Sequence, residues 1–340
     1  MGSDLSALPR KRCQNGHGVR RLRRISLTPQ QYFLVASVAM GTLVLIVFTG
    51  AAVRVTGSGL GCPDWPNCYE DGRLTPELGT HSYIEFGNRM LTSIVGISAV
   101  AALVFAFARK PFRRDLALLG ALLPLGVLGQ AVMGGLTVLY GLAPGWVMAH
   151  FALSMVILVA AGALVWRARP AWKPGERAGD LAVARWVWAL FALGGVTLFA
   201  GTAATAAGPH AGGSGTGDIV ERLQFKGADT VGWLIDRHGA LAAALGVLAI
   251  ACWWVARRHG ADAALVHRLA RVCLLMALQG VLGLVQYQLE VPAEMVWVHV
   301  ALATLLWVGI VLAAVQVGSP VRAATPAARR EAPRSAPVAP

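Results

Sequence analysis

Charge is what this chain has least of. Asp, Glu, Lys and Arg together make up 14 % of its 340 residues. A soluble domain carries about a quarter, so a water-soluble globular protein is excluded. No glycine-rich nucleotide-binding loop is evident, which argues against an ATP-driven pump. No local cluster of His, Cys and carboxylate stands at metal-ligand spacing, which argues against a zinc-type site. Cysteine is limited to five residues, too few for a disulfide scaffold.

What fills the space is apolar. Hydrophobic residues reach 56 % and the mean hydropathy is +0.58. A membrane-crossing helix needs roughly 17–25 apolar residues, and eight such runs are expected, at about 32–53, 81–108, 115–139, 144–168, 183–206, 231–256, 264–289 and 292–317. The first run is too long for the apolar part of a signal peptide and returns as the first helix of a repeat, so it reads as a retained helix. The formal charge of +13 raises the question of nucleic acid, and its distribution answers it. With the N-terminus inside, the inner segments collect most of the basic residues, among them Arg10, Lys11, Arg12, Arg23, Arg24, Arg109, Lys110, Arg113, Arg167, Arg169, Arg257 and Arg258. The outer segments hold Arg54, Arg73, Arg222 and Lys226. That asymmetry is the positive-inside rule; it orients a multi-pass protein of the bacterial cytoplasmic membrane with both termini cytoplasmic, and nucleic acid is not needed to explain it.

An internal repeat organises the chain. Gln130 precedes His150 by 20 residues and Gln279 precedes His299 by the same 20, at an offset of 149. Asn88, Leu91 and Gly96 align with His238, Leu241 and Gly246 at an offset of 150, and Gly50 with Gly201 at 151. Each unit holds four helices, so both start on the same side and are parallel repeats. The expected fold is an all-α membrane protein, eight transmembrane helices in two pseudo-symmetric four-helix bundles. The expected divisions are a basic cytoplasmic tail at 1–31, an N-terminal bundle at 32–168, a cytoplasmic linker at 169–182, a C-terminal bundle at 183–317 and a disordered tail at 318–340.

Asn88, His150, His238 and His299 each fall about seven residues into an even-numbered run, all entering from the outside, which sets them at matched depth. His238 and His299 face each other across the second bundle in this scheme, an arrangement suited to the two axial positions of a haem iron. The alternative for any one of them is an ordinary polar residue bonded between helices; equivalent slots in both copies favour ligation. The first bundle differs, because Asn is a poor iron ligand. One turn before Asn88 lies Glu85, and a carboxylate inside a membrane helix points to function by default. A buried pair with the adjacent Arg89 is the plainer reading. With His150 on one side and a proton-handling acid on the other, the first bundle suits a reactant that enters and leaves.

On the outer face, Cys62 and Cys68 close a short loop where disulfides persist; a structural bond and a cycling redox pair both fit. His210 in the second outer loop is read as either a haem-propionate contact or a turn residue. Arg54 is the better propionate partner because its charge is permanent. His81, at a helix mouth, is expected at the surface, and Cys13, Cys252 and Cys273 are given no role.

Taken together these residues resemble the haem A synthase family. Ala51-Ala-Val-Arg-Val-Thr-Gly-Ser-Gly-Leu-Gly-Cys-Pro-Asp-Trp-Pro-Asn-Cys68 looks like its signature outer loop, and Ile84-Glu-Phe-Gly-Asn-Arg89 like its glutamate–histidine–arginine motif. Gly134-Gly-Leu-Thr-Val138, Ala149-His-Phe151, Gly201-Thr-Ala-Ala-Thr205 and Gly208-Pro-His-Ala-Gly212 continue the match in order over about 32–317. The resemblance implies oxidation of the C8 methyl group of haem O to a formyl group, giving haem A for cytochrome oxidase. It implies a b-type haem on His238 and His299, and a substrate haem in the first bundle with Glu85 and His150 needed for turnover and Asn88, Arg89 and Arg54 around it. Partners implied are the lipid membrane, a haem O synthase and oxidase assembly factors. One position departs from the pattern: the family has His where this chain has Asn88. The competing readings are a non-catalytic bis-His b-type electron carrier and a haem-delivery protein, which would leave haem chemically unchanged.

Overall fold

A computed structural model describes residues 26–73, 79–172, 180–213 and 215–318; most of both expected tails, Cys13 and half of the expected linker lie outside them. Among the described residues the fold is all-helical, with helices α1 (Pro29–Val55), α2 (Thr80–Ala108), α3 (Arg114–Leu139), α4 (Pro144–Ala168), α5 (Leu181–Ala207), α6 (Thr230–Arg258), α7 (Ala263–Gln288) and α8 (Ala293–Val317). All eight are long and apolar enough to cross a membrane, as the hydropathy runs predict to within three residues at every end. Helix is the form such runs must take in lipid, because it satisfies each backbone N–H and C=O within the segment. Where α1 begins, Thr28 and Gln31 form a reciprocal capping box with Pro29 at the first helical position.

Packing follows residue size. Small side chains line the inner faces of α1 and α2: Ala36 and Ala39 on α1, and Ala99, Ala102 and Ala106 on α2, are all at most 1 % exposed. Small residues let helix backbones approach closely where no hydrophobic force drives association in lipid. The turned-out faces carry Leu34, Ile97, Leu125, Val247 and Leu284, as a lipid-facing surface requires. Tyr32, fully buried, donates its hydroxyl to the Ala102 carbonyl at 3.0 Å and ties α1 to α2. Below it, Leu27 pairs with the chain at Arg109 through Leu27 N–H to Ala108 O (3.0 Å) and Lys110 N–H to Leu27 O (2.9 Å).

Helices α1 to α4 close a ring, α1 against α2 and α4, with α3 between α2 and α4; α5 to α8 close a second in the same order. The rings meet along α4 and α8, with α1 also touching α8 and α4 touching α5. Gly162 on α4 lets Val311 of α8 approach so closely that a Cβ there would lie 2.7 Å from its side chain. Trp307 of α8 donates its indole N–H to the Met155 carbonyl of α4 at 3.0 Å and stacks on Phe191 of α5 at 4.8 Å. The seam between the rings is therefore closely packed and tied by the Trp307–Met155 hydrogen bond.

Candidate functional site

The candidate residues gather toward the end of the helices that carries the Cys62–Cys68 loop. Asn88 and His238 are the ninth residues of α2 and α6, and His150 and His299 the seventh of α4 and α8. At 1.5 Å per residue this sets all four about 9–12 Å below the helix starts. In the second ring His238 and His299 are brought together, their ring centres 6.2 Å apart and their planes inclined at 61°. His238 Nδ1 donates to the Thr197 carbonyl at 3.1 Å, because a carbonyl only accepts. That bond fixes the tautomer and leaves the Nε2 lone pair available, the usual outer-shell arrangement of a ligating histidine. Gly201 of α5 lies against the ring, where a Cβ would stand 2.9 Å from Cε1. His299 is backed by Gly283 in the same way, with 3.3 Å to Cε1, and Gln279 donates to the His299 carbonyl at 2.9 Å.

Do these residues fit a haem iron? A metal between two opposed imidazoles, with metal–nitrogen bonds of about 2 Å, sets the ring centres about 6 Å apart, which matches the 6.2 Å found. His299 Nδ1, like His150 Nδ1, is buried without a hydrogen-bond partner. A buried polar atom left unsatisfied is costly; a metal on Nε2 does not relieve that cost at Nδ1, so the fit rests on the spacing of the rings. Among the described residues no three His, Cys, Asp or Glu side chains gather to hold a bare metal ion.

The first ring places His150 in the matching frame. Gly134 faces the imidazole, 3.2 Å from Cε1 to a would-be Cβ, and Gln130 donates to the His150 carbonyl at 3.0 Å and to Ser154 Oγ at 2.8 Å. Opposite lies Asn88, whose Oδ1 accepts the Thr49 hydroxyl at 2.7 Å. Glu85, 5 % exposed, is bound on both oxygens. Oε2 accepts the Cys62 backbone N–H at 2.8 Å and Oε1 accepts the Arg89 guanidinium at 2.7 Å. Arg89 also donates to the carbonyls of Cys62 (2.7 Å), Asp64 (2.8 Å) and Asn67 (3.1 Å). The pair therefore grips the loop closed by the Cys62–Cys68 disulfide. Trp65 of that loop lies on Gly135, where a Cβ would come within 2.6 Å. Cys68 N–H reaches the Arg73 carbonyl at 3.0 Å. Asp71 accepts the Arg73 backbone N–H and guanidinium, which hold its carboxyl below the usual range.

The two loops at this end clasp each other, a feature the sequence reading did not contain. Gly59 N–H donates to the Gly212 carbonyl at 2.9 Å and Gly215 N–H to the Gly57 carbonyl at 3.1 Å. Arg54, expected to face a haem propionate, and His210, read as either a propionate contact or a turn residue, meet each other: Arg54 Nε donates to the His210 carbonyl at 3.0 Å. His210 Nε2 in turn donates to the Val291 carbonyl at 2.8 Å, which makes it a tie to the α7–α8 turn. His81 is a correction, since it is half-buried, not at the surface. Its Nδ1 bonds Ser58 Oγ at 2.8 Å, which bonds Thr56 Oγ1 at 2.8 Å. These partners are mostly backbone atoms, which leave no mark in sequence; the glycines of both loops are the one available hint.

The architecture defines a polytopic helical membrane protein with histidines paired inside its second ring. The chain belongs to the COX15-CtaA family, described as cytochrome oxidase assembly protein, whose family model matches residues 31–311. It is 36 % identical over 132 residues to a heme A synthase of Lysinibacillus sphaericus, covering 38 % of this chain and 42 % of that protein. A heme A synthase of Bacillus pumilus is 34 % identical over 126 residues, 36 % of this chain and 40 % of its own. One of Listeria welshimeri is 32 % identical over 117 residues, 34 % and 38 %. These alignments thus span about two fifths of the curated relatives' length.

Proposed function

We propose that this chain is a haem A synthase that oxidises the C8 methyl group of haem O to a formyl group, in a bacterial cytoplasmic membrane with both termini inside. The difference between the two rings carries the proposal. One offers a matched, oriented pair, His238 and His299, and the other a single histidine, His150, beside a membrane-embedded acid, Glu85. The equivalent frames Gln130–His150 and Gln279–His299, each with its glycine, support a duplicated four-helix unit with a substrate bundle at 32–168 and a cofactor bundle at 183–317.

In this scheme His238 and His299 hold a b-type haem, which supplies one-electron redox chemistry. His150 anchors the substrate haem from α4. Converting a methyl to a formyl group with one water releases four protons and four electrons, so a proton acceptor is required at the substrate's edge. Glu85 is that group: Arg89 and the Cys62 N–H hold its carboxylate in place, and the loop above shields it from bulk water. The clasped loops close the site at that end, and the permanent charge of Arg54 beneath them favours the anionic edge of a haem.

Expression in a cell that makes haem O but no haem A tests the assignment, by haem extraction and chromatography with mass detection. Haem A, or its hydroxymethyl precursor, is expected only when the chain is present. Bound haem B with unaltered haem O in folded protein would instead make the chain an electron carrier or delivery protein.

A further inference from the structure

The station equivalent to His238 in the first ring carries a short side chain bonded to a neighbouring helix. Asn88 sits at the station His238 holds in the second ring, 150 residues on. The only atom of an Asn side chain with a lone pair suited to a metal is Oδ1. Here Oδ1 accepts the Thr49 hydroxyl at 2.7 Å. Thr49 has one proton to give, and its other contacts, the Ile46 and Leu45 carbonyls at 3.3 and 3.4 Å, are too long to compete for it. His238 is treated in the opposite way: its bond goes through Nδ1 to the Thr197 carbonyl and so aims the second nitrogen inward. An amide is also shorter than an imidazole, so a chain at residue 88 reaches less far into the ring of helices. Glu85 lies one turn nearer the loop on the same face, so station 88 adjoins the acid.

We propose that the residue-88 side of the first-ring haem is an open coordination position that takes a small exogenous ligand, water or a compact anion or diatomic molecule, whereas the second-ring haem is closed on both faces by His238 and His299. The inference rests on the functional reading that each ring holds a haem. It makes Asn88 a substitution that opens a site, with Thr49 as the residue that draws the short amide toward α1.

The test uses full-length, haem-loaded protein with cyanide as the probe, read by electron paramagnetic resonance and optical spectra of the ferric state. A haem with one imidazole and water is high-spin, and one with two imidazoles is low-spin. Wild-type protein is expected to give both signals, and cyanide to convert only the high-spin one. Asn88→His is expected to remove the high-spin signal and the cyanide response, while His238→Ala removes the original low-spin signal. Two haems per chain, both low-spin and indifferent to cyanide, overturn the inference and leave the functional reading standing. A wild-type chain that never loads a haem on His150 overturns both. Neither outcome depends on Asn88→His folding, because the wild-type titration already decides between them.

Discussion

At the ninth residue of α6 stands His238, steered by the Thr197 carbonyl toward its partner 6.2 Å away. At the ninth residue of α2 stands Asn88, with its one ligand-capable atom held by Thr49. His150 and His299 are framed alike, each by a glycine and a glutamine, so the contrast between the rings comes down to one station and its surroundings. Beside Asn88 the N-terminal ring adds an acid at 85 and an arginine at 89 that clamp a disulfide loop. At the same two stations, 150 residues on, the C-terminal ring has Ile235 and Gly239. The second ring thus has matched imidazoles and an apolar residue where the first has its acid. On the proposed reading, that contrast separates a ring that keeps its haem from one that exchanges it.

The largest effect expected from breaking this contrast is at the pair itself. His238→Ala or His299→Ala should lose one of two haems, seen as a drop in haem per chain and loss of the low-spin spectrum; an unchanged low-spin spectrum would show that the pair is not the ligand set. Next comes Glu85→Gln, which keeps the shape and an acceptor for the Cys62 N–H but removes the base. Haem A formation should fall at least about 100-fold, measured by extracted haem, with the low-spin haem retained. Full activity of Glu85→Gln removes the acid from the scheme. Replacing Cys62 and Cys68 together by Ser should lower stability by about 2 kcal/mol, the value for closing so short a loop, read as an earlier thermal melt in detergent with the His238/His299 spectrum unchanged. Smallest are Gln130→Leu and Gln279→Leu. Gln279→Leu removes one interhelical bond, costing about 0.6–1 kcal/mol, and Gln130→Leu removes two, so it should cost more, up to about twice as much; a larger loss from Gln279→Leu would break the equivalence of the frames.

The eight helices are legible because lipid leaves an apolar run only one backbone solution, and their ends fall within three residues of those runs. The four stations at one depth are legible because residue counting measures distance along a helix. Arg54 shows where legibility stops. Its charge reads from the sequence, but the main-chain oxygen of His210 that takes its Nε does not, since any residue at 210 supplies that oxygen. His81 was misplaced for a related reason. A histidine at a helix mouth reads as solvated until a neighbouring loop folds over it, and that loop is 23 residues away in the chain. Thr49 was missed because a threonine in an apolar helix normally bonds its own preceding turn, and nothing local marks that its hydroxyl reaches α2.

The α4–α8 seam carries a consequence of its own. On the proposed repeat these are equivalent helices, the fourth of each unit, and equivalent helices meeting at a shared boundary are what a two-fold dimer of four-helix subunits would present. In such a dimer every substitution appears twice, so neither member can change its ligand set alone. Joining the copies into one polypeptide removes that constraint. A single codon at position 88 then alters one site and leaves its twin intact, and specialisation of one half becomes possible without loss of the other.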